Sequence, residues 1–194
     1  MIKKLLSLSL LAVVGACHAQ TFNTVSFNTT NGATATFSST GNTYRALISG
    51  FTLNGGTPVA DIAWVYDFTS APVPAFTAVT ITISGTLSSG SVRVVGNEKV
   101  FDMAGAPLQV ANGLIDETAV ADASGTFSII RTFNFSQAVS IGQAQKDLLH
   151  ILGNGDSAAT VTMIEQTFTP VPEPATLLAL GCGAAALLRR RRRS

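Results

Sequence analysis

Along much of the chain, apolar and polar residues alternate with a period of two. The stretch AVTITISGTL puts Val79, Ile81 and Ile83 on one side and Thr80, Thr82 and Ser84 on the other. A strand with one buried face requires that arrangement. TFSIIRTFNF repeats it, with Phe127, Ile129, Phe133 and Phe135 on one face and Arg131 interrupting that face. An arginine there predicts either a sheet edge or an acidic partner. Further strands are expected over 22–27, 33–38, 44–53, 62–68, 91–95, 99–102 and 159–168. Between them lie Asn31-Gly32, Gly41-Asn42, Asn54-Gly55-Gly56, Ser89-Gly90, Gly96-Asn97, Asn112-Gly113 and Ser124-Gly125. Such pairs tolerate positive φ and predict tight turns.

One segment departs from the period. SIGQAQKDLLHILGNG has a Ser140…Gln143 capping-box spacing, with Ile141, Ala144, Leu148, Ile151 and Leu152 at three- and four-residue intervals and Gly153 as a stop. It predicts a single amphipathic helix. Many short strands and one helix make the expected fold all-β: a jelly-roll-like β-sandwich over residues 20–169. The abundant threonine suits solvent-facing strand positions.

Both ends of the 194-residue chain read as address labels. MIKKLLSLSLLAVVGACHAQ has a basic start at Lys3 and Lys4, an apolar run from Leu5 to Gly15, and small residues after it. This is the layout of a secretory signal peptide over 1–19, read by a Sec translocon and signal peptidase. Cleavage after Ala19 competes with a lipobox reading of Val14-Gly15-Ala16-Cys17, which would lipidate Cys17. At the other end, VPEPATLLALGCGAAALLRRRRRS joins a rigid Pro172-Glu173-Pro174 to an apolar run over 175–188 and to Arg189, Arg190, Arg191, Arg192 and Arg193. Proline fixes φ and holds the peptide extended, clear of the domain. Arginines beside an apolar helix mark its cytoplasmic side. Fourteen residues give about 21 Å of helix against a hydrocarbon core of ~30 Å, so the span is a marginal one, expected to be temporary.

The tail resembles the PEP-CTERM sorting signal of Gram-negative bacteria. The resemblance covers 171–194: Pro172, Glu173 and Pro174 carry the signature and Arg189 to Arg193 the basic end. It implies processing by exosortase, a membrane cysteine transpeptidase-like enzyme, and an association with exopolysaccharide, biofilm and floc formation. The protein is then expected to sit transiently in the inner membrane with its C-terminus in the cytoplasm, before reaching the cell surface or matrix. The resemblance does not extend to the central domain.

Composition narrows the role of that domain. Residues 20–170 hold five basic residues against ten acidic ones, so the +1 of the whole chain comes from its ends. Nucleic acid is an unsuitable partner for a surface of that sign. The two cysteines, Cys17 and Cys182, both lie outside it, which excludes a disulfide framework, a thiol nucleophile and a Cys-ligated zinc. His150 lies three residues from Asp147, but no G-x-S-x-G elbow accompanies it, and a cation in a helix's last turn is the simpler reading. Asp61 and Asp67 flank Trp64 and Tyr66. On one strand they stand about 20 Å apart, too far to act as a glycosidase pair. Asp116-Glu117 with Asp122, and Gly153-Asn154-Gly155-Asp156, are the acidic loop clusters, and neither has calcium-loop spacing. No catalytic residue, cofactor or metal is predicted. The expectation is a non-enzymatic, exported surface or matrix protein. The alternative is a carbohydrate-binding module or weak glycan-active enzyme, with Trp64 and Tyr66, joined by Tyr44, as the stacking platform.

Overall fold

The computed structural model describes residues 20–70, 75–120, 125–153 and 158–171. Eleven strands run β1 (Gln20–Thr29), β2 (Thr34–Thr40), β3 (Thr43–Ser49), β4 (Thr52–Asn54), β5 (Val59–Ser70), β6 (Phe76–Leu87), β7 (Ser91–Asp102), β8 (Leu108–Val120), β9 (Thr126–Val139), β10 (Ile141–Leu152) and β11 (Ala158–Pro170). No helix occurs among the described residues. The first sheet has the order β1-β5-β10-β7-β8. The second has β2-β3-β11-β6-β9, with β4 also on β11. Every pairing is antiparallel. The inner faces enclose one core that includes Ile62, Phe68, Ile81, Ile83, Ile164 and Phe168. The described residues form an all-β sandwich.

Alternation explains most of the strands. In β6, Val79, Ile81 and Ile83 are buried, and Thr80, Thr82 and Ser84 form the outer face. That face is lined by cross-strand hydroxyl pairs: Thr80 with Thr132 at 2.8 Å, Thr43 with Thr167 at 3.0 Å, and Thr52 with Thr160 at 3.2 Å. Such pairs stabilise a sheet while leaving it wettable. Phe22 and Phe27 are five residues apart, an odd spacing that a regular strand would place on opposite faces. A register shift between Thr24 and Ser26 turns both toward the core. Arg131 lies on β9, an edge strand of the second sheet, and pairs with Glu117 of β8, an edge strand of the first. That ion pair ties the two sheets together along one side.

Three expectations are corrected. The segment after Ser140 is strand β10, not a helix. Its even residues face the core and its odd residues face outward, so the three- and four-residue spacing of its apolar residues was incidental. Two of its inward positions are Lys146 and His150, which mask the period of two. Gly96-Asn97 and Asn112-Gly113 lie within β7 and β8 and make no turn. A Cβ on Gly96 would stand 2.0 Å from the Asp147 carbonyl oxygen, and one on Gly113 would stand 1.9 Å from the Phe133 ring. Both glycines serve close approach inside the sandwich. Strand β8 corresponds to none of the strands expected from the sequence, a third departure. By contrast, Gly32, Gly41, Gly90 and Gly125 do adopt positive φ in turns.

Candidate functional site

The inner face of the first sheet carries a row that crosses three strands. Lys146 of β10 is opposite Trp64 of β5 on one side and Glu98 of β7 on the other. From the second sheet, Gln166 of β11 points into the same space. Lys146 is 3% exposed, and Glu98, Gln166, Trp64 and Tyr66 are 0% exposed.

These groups form a closed network. Lys146 Nζ donates to Gln166 Oε1 at 2.9 Å and lies 3.5 Å from Glu98 Oε2. Gln166 Nε2 donates to Glu98 Oε1 at 2.8 Å. The Tyr66 hydroxyl donates to Gln166 Oε1 as well. The ammonium is flanked by the rings of Trp64 and Tyr66, 4.5 and 4.6 Å from their centroids, a cation–π cage that partly offsets its lost hydration. Behind it, Trp64 Nε1 donates to Thr24 Oγ1 at 3.4 Å, and Thr24 exchanges a 2.6 Å hydrogen bond with Tyr44 Oη.

Removal from water dominates the electrostatics. Burial pushes the Lys146 amine down to about 8, against the opposing attraction of Glu98. Burial also raises the Glu98 carboxyl, against Lys146 and Gln166, and raises the Tyr66 phenol well above its ordinary value. Both partners of the ion pair are therefore driven toward their neutral forms. Glu98 Oε2 has no hydrogen-bond partner.

Trp64 and Tyr66 are where the sequence placed them, on one face of one strand, but that face is the core. A glycan platform at these two rings, or at Tyr44, which is 4% exposed, is not on the surface of this fold. His150 is likewise a buried strand residue. Its Nδ1 faces the Leu148 carbonyl at 3.0 Å, its ring meets Phe51 edge-on, and burial lowers its pKa to about 4. It cannot serve as the cation at a helix end that the sequence suggested. Asp116 and Glu117 are engaged separately by Arg93 and Arg131. Asp122, residues 154–156, the signal peptide, Pro172, Glu173, Pro174, the apolar run and Arg189 to Arg193 lie outside the described residues.

The outer face of the first sheet is the other polar surface. Gln143 Nε2 donates to Asp67 Oδ1 at 2.9 Å, and Gln145 Nε2 donates to Gln143 Oε1 at 2.6 Å. Farther along, Asp61 and Asp147 border a shallow depression of about 370 Å³ with Asn97 and Leu149. Partial burial and the neighbouring Asp147 raise Asp61 to about 6. No sequence signal joins Asp67 to the glutamines, because the apolar spacing of the β10 segment points to a helix.

Residues 170–193 match the PEP-CTERM protein-sorting motif. The match begins at the final residue of β11, so the sandwich runs directly into it. No curated protein matches the chain. Among solved structures, it is similar to the CBM22-1 xylan-binding domain from Paenibacillus barcinonensis. Identity is 10%, coverage is 80% of this chain and 97% of that one, and the TM-score is 0.34. A CBM61 module in complex with β-1,4-galactotriose shows 6% identity over 77% and 88% of the two chains, with a TM-score of 0.37. A family 11 carbohydrate-binding module from Clostridium thermocellum shows 10% identity over 75% and 95%, with a TM-score of 0.30. The sandwich is defined by this chain's own two sheets.

Proposed function

We propose that this is an exported, exosortase-sorted protein whose non-enzymatic β-sandwich is delivered to the cell surface or the extracellular matrix, in association with exopolysaccharide. The observation that carries this reading is the PEP-CTERM motif at 170–193, directly after the last strand of the domain. The signal peptide takes the domain across the inner membrane. The apolar run and Arg189 to Arg193 hold it there with the C-terminus inside, and exosortase acts near Pro172, Glu173 and Pro174. An acidic domain with hydroxyl-lined strands suits a hydrated polysaccharide layer. The test is a chain lacking 171–194: it is expected in the periplasm, and the full chain at the surface. Equal distribution of the two contradicts the reading.

The second reading, carbohydrate binding, is favoured by the Asp67–Gln143–Gln145 ladder, whose amides and carboxylate are of the kind that pair with sugar hydroxyls. It places the contact on the outer face of the first sheet, away from Trp64 and Tyr66. Affinity electrophoresis in host exopolysaccharide tests it. Retardation that Gln143→Ala and Gln145→Ala abolish is the expected outcome, and unretarded migration of the intact domain contradicts it.

A further inference from the structure

Lys146, Gln166 and Glu98 place an amine, a primary carboxamide and a carboxyl in mutual contact, sealed from solvent between two sheets. From this geometry we propose that the domain is a self-crosslinking one, in which Lys146 Nζ forms an intramolecular isopeptide bond with Gln166 Cδ and releases ammonia.

Each group needed for the step is present. The Lys146 ammonium passes a proton to Glu98, leaving a free amine and a carboxylic acid. Desolvation favours that transfer, since it lowers the lysine and raises the glutamate. The amine lone pair then attacks Gln166 Cδ, forming the Nζ–Cδ bond and moving the carbonyl π pair onto Oε1. The Tyr66 hydroxyl already donates to that oxygen and stabilises the developing negative charge. Glu98 contacts Gln166 Nε2 at 2.8 Å, so its proton goes to the leaving nitrogen. As the Cδ–Nε2 bond breaks, ammonia departs and Nζ returns a proton to Glu98. Amine and carboxamide thus become a secondary amide and ammonia, with Glu98 regenerated and no oxidant, metal or cofactor consumed. Glu98 is the catalytic residue. Trp64 and Tyr66 are the walls that hold the amine and exclude the water that would compete with it.

The bond would join β10 of one sheet to β11 of the other. A domain without cysteine, bound for an extracellular layer, would thereby acquire a covalent staple between its sheets. The reaction also removes a charge from the core and gives the glutamate a permanently neutral partner.

Peptide mapping of the purified full chain, denatured and cut after glutamate, tests the proposal. Cleavage after Glu117 and Glu165 separates peptide 118–165 from the peptide that begins at Gln166. The expected result is that the two remain joined, lighter by one ammonia than their sum, with fragment ions assigning the link to Lys146 and Gln166. A joined product distinguishes the link from cyclisation of an N-terminal glutamine, which loses ammonia without joining peptides. Two separate peptides from the wild-type chain overturn the proposal. Glu98→Gln keeps the shape of the side chain but removes the proton relay, and is expected to slow linkage by on the order of 10²-fold or more. Linkage at the wild-type rate in that variant removes Glu98 from the catalytic role.

Discussion

Glu98 and Lys146 face each other across one row of the first sheet, 3.5 Å apart, and neither is appreciably exposed to solvent. Opposite charges so placed attract strongly, but each has lost its hydration, and that loss outweighs the attraction. Removing one member strands the other. Relative to the domain before any linkage of Lys146 to Gln166, Lys146→Met and Glu98→Leu are therefore each expected to lower stability by about 3–5 kcal/mol. The double replacement should be more stable than either single variant. Urea unfolding of the three variants checks this, and a double variant weaker than both singles would contradict it.

His150 supplies a pH dependence whose sign is fixed. Its Nδ1 donates to the Leu148 carbonyl, and Nε2 has no partner in the core, so the folded state holds the ring neutral. The folded pKa, about 4, lies below the ordinary 6.5, and the unfolded chain therefore binds the extra proton first. Stability from this group is complete above pH 6.5 and is lost as pH falls toward 4, on the order of 3 kcal/mol in all. Asp61, raised to about 6, acts in the opposite direction over much of the same window. Denaturant unfolding at a series of pH values should show that His150→Leu removes the acid-side loss. An unchanged slope in that variant would mean the ring is accessible to protons in the folded state.

The two mid-strand glycines should differ in their tolerance of a methyl group. At Gly96 the obstacle is the backbone oxygen of Asp147, which cannot turn away; at Gly113 it is the side-chain ring of Phe133. Gly96→Ala is expected to cost more than Gly113→Ala, and both at least about 1–3 kcal/mol as overpacking. Thermal unfolding ranks them, and the reverse order would place the strain elsewhere.

Trp64 is the one tryptophan in the chain and is wholly buried. Its emission should be blue-shifted and resist acrylamide quenching until the domain unfolds. Red-shifted, readily quenched emission would return it to the surface and revive a stacking role.

The parts of this fold legible in the sequence are those in which side chains obey a single rule. Strand β6 from Val79 onward and the buried half of β9 alternate cleanly, and the turns at Gly32, Gly41, Gly90 and Gly125 use glycine for its positive φ. The pairing of Arg131 with an acid was legible because a charge on an apolar face needs a partner. Strand β10 was illegible for the reason that makes it interesting: its core positions include Lys146 and His150, which break the apolar period from within. The Lys146–Glu98–Gln166 cluster could not be seen either, since its members belong to three strands and two sheets. Gly96 and Gly113 misled because a close approach between elements leaves no local signature.

On the proposed function, the domain travels and is sorted by its ends. The most direct measurement is the intact mass of the mature protein from its native host, with and without exosortase. Loss of the N-terminal segment near Ala19 in both strains, with loss of the tail near Pro172–Pro174 only when exosortase is present, is the predicted result. A C-terminus retained through Arg193 in both strains would contradict it.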